Sequence, residues 1–511
     1  MSPLPRLYRR TTLTSYATVG VQVLATIVLT PLLVSGLGIE GYGVWSLAIS
    51  FVLYLELLEF GFAKSTTRSV AHHEALGDRD AIRRTIATSV GMLLVPAFLA
   101  LLGGLILVAV FPALFNLGAT QADAARIICV VFAFDLAVSI PSDTFGATLA
   151  GLQRFDVVNT TLIATTLAQG LGWFVVLRLG GGLVALATVT VAVSLGGQFA
   201  RVLVASRLVG NVPLTRRWFD RGMVKPLAGA SGWFFVADLA DVVVSRIDIV
   251  VVGLVVGVPE AAVYAVALKL SLLADRAYRP ATTSFFPQSA ALSAQAGASV
   301  LQPVVMTGTR ISLGVAWPLC LTLILLAAPA LEAWVGDDFS SGAPVVVFLA
   351  AAVAVKALTR TGVLALQGMG IVRYPAIVNA VEAALNLILS ISLGSTFGIQ
   401  GIALATLLAA AITDLGIMLP HLCRKLGLSL WSFLLSVLKG HLPPVAAAVV
   451  AGLPIRDHVR GIPAVLAGAV AICSIYLIVF AYVGVDAEER RRVKGMFGIN
   501  RARQRSERIS R

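Results

Sequence analysis

The sequence predicts an all-α polytopic membrane protein of about fourteen transmembrane helices, arranged as two parallel six-helix lobes with two extra C-terminal helices. Composition, hydropathy pattern and charge placement carry that expectation. Of 511 residues, 58% are hydrophobic and 13% charged, with a mean hydropathy of +0.91, far more apolar than a water-soluble mixture. Apolar runs of about 20 residues, each able to cross the ~30 Å hydrocarbon core, recur from Thr12 to Tyr482 between short polar or Gly/Pro-containing joints. Lipid offers no hydrogen bonds to a free backbone, so these runs must be helices, and no alternating ten-residue pattern points to a barrel.

The first run, 12–34, follows the basic stretch MSPLPRLYRR. It lacks a small-residue cleavage site and is expected to be the first spanning helix rather than a signal peptide. Spans at 42–63, 86–110, 124–147, 158–177 and 183–205 complete an N-terminal lobe over 1–205. A cytoplasmic linker, 206–226, leads to a second lobe over 227–420, with spans at 227–253, 260–285, 306–332, 342–366, 375–395 and 402–420. The extra pair occupies 433–453 and 462–483, and a basic tail covers 484–511. No joint is long enough for a soluble domain. The four cysteines, Cys129, Cys320, Cys423 and Cys473, are scattered and form neither a metal pattern nor a disulfide framework.

A formal net charge of +13 would suit nucleic acid, but its placement excludes that partner. With the N-terminus inside, the inside segments hold 26 of the 39 Lys and Arg, whereas the outside segments hold only Arg178, Arg456 and Arg460. This asymmetry is the positive-inside rule and puts both termini in the cytoplasm. The tail, with Arg490, Arg491, Arg492, Lys494 and five further arginines, reads as a topology anchor resting on anionic lipids. Docking of a partner protein is the other use open to it.

Short landmarks recur at nearly one offset. Gly38 and Trp45 of the first joint correspond to Gly257 and Tyr264, AGLQRFDVVN (150–159) resembles QGMGIVRYPAIVN (367–379), and GLVALAT (182–188) resembles GIALAT (401–406). The offsets are 219 or 220 residues, six spans apart, so the two halves share one orientation, as in parallel transporter repeats.

Six plus six plus two helices in parallel halves resemble the multidrug/oligosaccharidyl-lipid/polysaccharide (MOP) exporter superfamily. The opening PLLVSGLGIEGYGVWSLAIS, the second-helix end LLEFGFAKSTTRSVA, the joint GLQRFDVVN and the stretch GVPEAAVYAVAL resemble its polysaccharide flippases in particular. The resemblance implies movement of an undecaprenyl-diphosphate-linked oligosaccharide across the bacterial cytoplasmic (inner) membrane, for O-antigen, capsule or exopolysaccharide assembly. It further implies alternating access, drive from a proton or sodium gradient, and partnership with polysaccharide-assembly proteins. No cofactor, metal or enzymatic activity is expected.

Intramembrane charges are costly and mark the functional candidates. Lys269, Arg276 and Arg279 share one face of the eighth span, and Lys356 and Arg360 share a face of the tenth. We assign these cations to the diphosphate, with snorkelling to headgroups as the competing reading, strongest for Arg279 and Arg360. Asp238, Asp241 and Asp248 on the seventh span, near Arg246, with Glu56 and Glu59 on the second, are candidates for ion coupling. A structural salt bridge is the alternative. Asp135, Asp143, Glu382 and Asp414 are similar candidates. Asn379, Glu382 and Asn386 form a polar face on the eleventh span suited to sugar hydroxyls or to interhelical hydrogen bonds. His72, His73 and Glu74 read as a solvated loop, because adjacent histidines on a helix do not share a face.

Rival functions are a lipid II flippase or a drug/cation antiporter on the same fold, and a membrane polymerase or glycosyltransferase. The cation-rich spans favour an anionic lipid over a drug cation. The short outside loops and the lack of a GxxxxGK[ST] loop argue against a catalytic domain or an internal ATPase.

Overall fold

In a computed structural model of the chain, residues 4–59, 61–210, 218–283 and 301–484 are described. The predicted basic tail beyond 484, residues 211–217 of the inter-lobe linker, and the side chains of Asp238, Asp241 and Arg246 lie outside the described residues. Every regular element among the described residues is helical. In order they are α1 (Leu4–Glu56), α2 (Phe62–Ala75), α3 (Arg79–Leu114), α4 (Ala119–Gly151), α5 (Phe155–Arg178), α6 (Leu183–Val209), α7 (Arg221–Val255) and α8 (Val258–Thr283). There follow α9 (Leu301–Leu325), α10 (Ala327–Val335), α11 (Ala343–Gly368), α12 (Arg373–Ala410), α13 (Leu419–Leu426), α14 (Leu430–His458) and α15 (Ile462–Val479). A π-helical stretch, Ala411–Met418, joins α12 to α13.

Ten helices among the described residues are long and apolar enough to cross a membrane. Two of them, Ala17–Glu59 and Arg373–Leu426, are interrupted at Gly38 and Gly398, and each takes in two of the spans predicted from sequence. Helices α7 and α8 coincide with predicted spans but are not among the ten. Helix α8 carries Lys269, Asp275, Arg276 and Arg279, which interrupt its apolar run, and many side chains of α7 lie outside the described residues. Predicted boundaries were too tight where helices run past the bilayer: α3, at 36 residues, is about 54 Å long, well beyond the hydrocarbon core. Large apolar side chains that water would reject, such as Leu94, Phe98 and Ile106 on α3, stand exposed along its shaft, where lipid covers them.

The duplication is written in the backbone. Left-handed or otherwise positive φ occurs at Gly38 and Gly257, Asn116 and Gly336, Gln153 and Gly370, Gly180 and Gly398, and Gly210 and Gly427. The members of each pair lie 217 to 220 residues apart. These five turns end helices at corresponding points of the two halves, so the repeat seen as short sequence strings is a repeat of chain reversals. At Gly38 the backbone combines φ 70° with ψ 175°, a region essentially closed to residues with a Cβ.

The chain forms two compact units. The first comprises residues up to Val266 together with Ala383–Ile402; the second comprises Ala267–Glu382 and the residues from Ala403 onward. In the first, α3 packs along α4 through small residues: a Cβ on Gly104 would lie 2.4 Å from that of Ala133, the close approach that drives helix association in lipid. Trp45 is enclosed by Phe132 and Trp173. In the second, α9 packs on α11, α14 and α15. The C-terminal pair is tied in by His441, whose Nδ1 lies 2.8 Å from the Tyr476 hydroxyl. The His441 ring stacks on Phe480, so these helices are a built part of the second unit.

Gly38→Ala should lower stability in detergent by about 1–3 kcal/mol, because alanine cannot occupy that conformation without strain. Gly20→Ala, where an added Cβ meets nothing within 4 Å, should be neutral or slightly stabilising. Thermal unfolding of both purified variants checks the contrast.

Candidate functional site

Polar groups at membrane depth gather into three clusters, each within one unit. In the first unit, Asp248 on α7 is buried, at 3% exposed. The Tyr264 hydroxyl donates to its Oδ2 at 2.7 Å and Ser390 Oγ approaches its Oδ1 at 3.4 Å. Asn386, fully buried, lies one helical turn before Ser390 on the same face of α12. A carboxylate, two hydroxyls and an amide oxygen on neighbouring helices are hard oxygen ligands of the type that bind a proton or a small cation.

The second cluster belongs to the same unit and is acidic. Glu56 lies within electrostatic range of Asp143, Glu59 and Asp135. Arg201 on α6 offsets part of this charge: its Nη2 lies 3.3 Å from Asp143 and donates to Gln198 at 2.8 Å. Glu59 accepts from the Ala63 amide at 2.9 Å, anchoring the start of α2. Glu56 remains solvent-accessible and Asp135 and Asp143 half-exposed, so this surface needs water and not lipid against it.

The third cluster, in the second unit, is cationic. Lys356 pairs with Glu382 at 2.6 Å, and Glu382 is almost fully buried. One turn on, Thr359 donates to Asp414 at 2.5 Å, and Asp414 feels both the Lys356 and Glu382 charges. Asp414 sits on the π-helical stretch, where an i→i+5 pattern re-aims a side chain out of the regular helical face. Arg279 pairs with Asp275 at 2.6 Å. Buried Tyr278 lies among the charges of Asp275, Arg360 and Arg279, which brings the C-terminal parts of α8 and α11 together. The Nε–H of Arg360 is buried and makes no hydrogen bond among the described residues. Lys269 and Arg276 are half-buried on α8, whereas Asn379 is exposed at the start of α12.

The structure thus separates what sequence spacing had grouped. Glu382 faces Lys356, Asn386 lies beside Ser390 and the Asp248 group, and Asn379 stands apart from both. The roles of Tyr264, Ser390, Thr359, Asp275 and Arg201 escaped sequence reasoning. Two of them left a signal: Asp275 precedes Arg279 by four residues, the spacing of a helical ion pair, and Arg201 is a lone arginine in an apolar span. Among the described residues, no group of three or more His, Cys, Asp or Glu is arranged to hold a metal ion.

Apolar shafts, breaks at paired glycines and charged clusters held at membrane depth define a multi-pass membrane protein with a transporter architecture. The fold matches the lipid II flippase MurJ in an inward closed conformation, with a TM-score of 0.72 and 13% identity, over 92% of this chain and 97% of that chain. An inward-facing multidrug resistance MATE transporter of the MOP superfamily matches with a TM-score of 0.69 and 14% identity, over 79% of this chain and 94% of that chain. A Vibrio cholerae MATE transporter mutant gives 0.55 and 12%, covering 84% and 99% respectively. No curated protein matches the chain significantly in sequence. Residues 7–293 match the family described as polysaccharide biosynthesis protein, and the chain belongs to that family, within the MOP superfamily.

Lys356→Met should strand the buried Glu382 carboxylate and destabilise the protein. The loss should fall at the lower end of the roughly 3–5 kcal/mol expected for a fully buried pair, because Lys356 keeps 33% of its side-chain surface exposed. Pairing it with Glu382→Leu should recover most of that loss. Unfolding of the single and double variants in the same detergent measures the coupling.

Proposed function

We propose that this protein is a flippase carrying an undecaprenyl-diphosphate-linked oligosaccharide from the inner to the outer leaflet of the bacterial cytoplasmic membrane. Both termini are cytoplasmic in this reading, and the fourteen spans of the sequence analysis form two six-helix lobes and an extra pair. The cargo carries a diphosphate at the lipid boundary and a wet glycan beyond it, so its carrier needs cations beside hydroxyl and amide groups at membrane depth.

The observation that carries the reading is the concentration of Lys269, Arg276, Arg279, Lys356 and Arg360 on α8 and α11, with an Arg360 N–H left for a ligand. Arginine supplies a planar fork suited to phosphate oxygens. Membership of a polysaccharide biosynthesis family supports the glycan. The Asp248 group and the acidic cluster around Glu56 support coupling to a proton or sodium gradient through alternating access, with Asp238 and Asp241 on the same helix as further coupling candidates.

In cells lacking the native protein, Arg360→Gln and Lys269→Gln should each cut surface polysaccharide about tenfold or more at unchanged protein level, the effect of losing one charge-assisted hydrogen bond. Arg360→Lys should retain part of it. Wild-type export from these variants contradicts the assignment. Asp248→Asn should remove the dependence of transport on the ion gradient; a gradient dependence equal to that of the wild type would clear Asp248 of coupling.

A further inference from the structure

At one end of the first unit, the end of α2, the start of α3, the α4–α5 turn and the end of α6 line an open cavity of about 170 Å³. Glu74, Arg79 and Arg154 line it over an apolar floor that includes Ile82, Leu152 and Leu208. Its volume is that of roughly five waters, enough for a phosphate joined to a short amine.

The charged groups are oriented and still have bonding capacity. Arg79 Nη1 donates to the Leu208 carbonyl at 2.7 Å, which fixes the guanidinium and leaves its other N–H groups for a ligand. Arg154 engages Asp156 through Nε and Nη2, at 3.0 and 3.2 Å, leaving Nη1. Arg83 holds the neighbouring Val209 carbonyl at 3.1 Å, so the end of α6 is clamped from two sides. The Glu74 carboxylate makes no hydrogen bond or ion pair among the described residues. The remaining N–H groups of Arg79 and the Nη1 of Arg154 therefore line the same small space as one open carboxylate. That pattern is complementary to a zwitterion and not to a simple anion.

The surroundings identify the source. Helix α5, which begins beside Arg154, has no buried residue and presents Leu162, Leu167 and Leu171 outward. Phe199 and Leu203 are exposed on α6 in the turns before Leu208. The helices that border the cavity thus continue as apolar, exposed shafts, along which an acyl chain would lie.

We propose that this cavity binds the phosphoethanolamine headgroup of a membrane phospholipid. Arg79 and Arg154 take the phosphate, Glu74 takes the ammonium, and an acyl chain follows α5 and α6. The leaflet concerned is cytoplasmic by the topology proposed above, but the site itself does not depend on the cargo. A bound lipid would join the α2–α3 and α4–α5 turns, two reversals of the first half.

The test is native mass spectrometry of the purified full-length protein in micelles with equal phosphatidylethanolamine and phosphatidylglycerol, with and without inorganic phosphate. The wild type should retain phosphatidylethanolamine several-fold over phosphatidylglycerol, unaffected by phosphate. Glu74→Gln should erase that preference, and Arg79→Gln with Arg154→Gln should cut retention of both lipids about tenfold. Glu74→Gln leaves the arginine-to-carbonyl bonds in place, so its result stands even if the double arginine variant unfolds. Equal retention of the two lipids by the wild type, an unchanged preference in Glu74→Gln, or displacement by phosphate would overturn the proposal. The first two outcomes would remove the zwitterion site, and the third would make it a free-phosphate site.

Discussion

An ionised side chain at the centre of a bilayer costs several kcal/mol unless water, an opposite charge or a hydrogen-bond donor meets it, and this cost organises the molecule. Lys356 meets Glu382, Arg201 meets Asp143, Arg279 meets Asp275, and Asp248 receives the Tyr264 hydroxyl. These partners lie on different helices or one turn apart on a single helix. Their pairing therefore fixes which faces of the apolar shafts turn inward, a choice that uniform hydrophobicity leaves open.

That choice gives the two units different chemistry on a duplicated plan. The turns recur at a nearly constant offset, yet the first unit gathers Glu56, Glu59, Asp135 and Asp143 around one arginine, whereas the second gathers cations on α8 and α11. Trp45 and Tyr264 show the divergence at one position of the repeat: both are buried, but only the tyrosine brings a hydroxyl, and it bonds Asp248. Acidic groups suit an ion and basic groups suit a diphosphate, the two tasks that the proposed function requires.

The fold was largely legible in the sequence because hydropathy reports the solvent of each segment directly. The repeat was legible because its turns need glycine at Gly38 and Gly257. Helix lengths were less so: α3 continues past the bilayer on ordinary polar residues that hydropathy scores as loop. The candidate site was legible only as a census of costly residues. Periodicity placed Asn379, Glu382 and Asn386 on one face, but the partner of Glu382, Lys356, comes from another helix, and the π-helical stretch that aims Asp414 at Thr359 leaves no pattern in composition.

The most direct measurement of the central claim is translocation by the purified protein in proteoliposomes loaded with a defined undecaprenyl-diphosphate oligosaccharide, read by its accessibility to an external glycosidase. The account predicts that an imposed proton or sodium gradient drives glycan across the bilayer faster than in protein-free vesicles, with no nucleotide added. Glycan movement no faster than in empty vesicles, under either gradient, would contradict it.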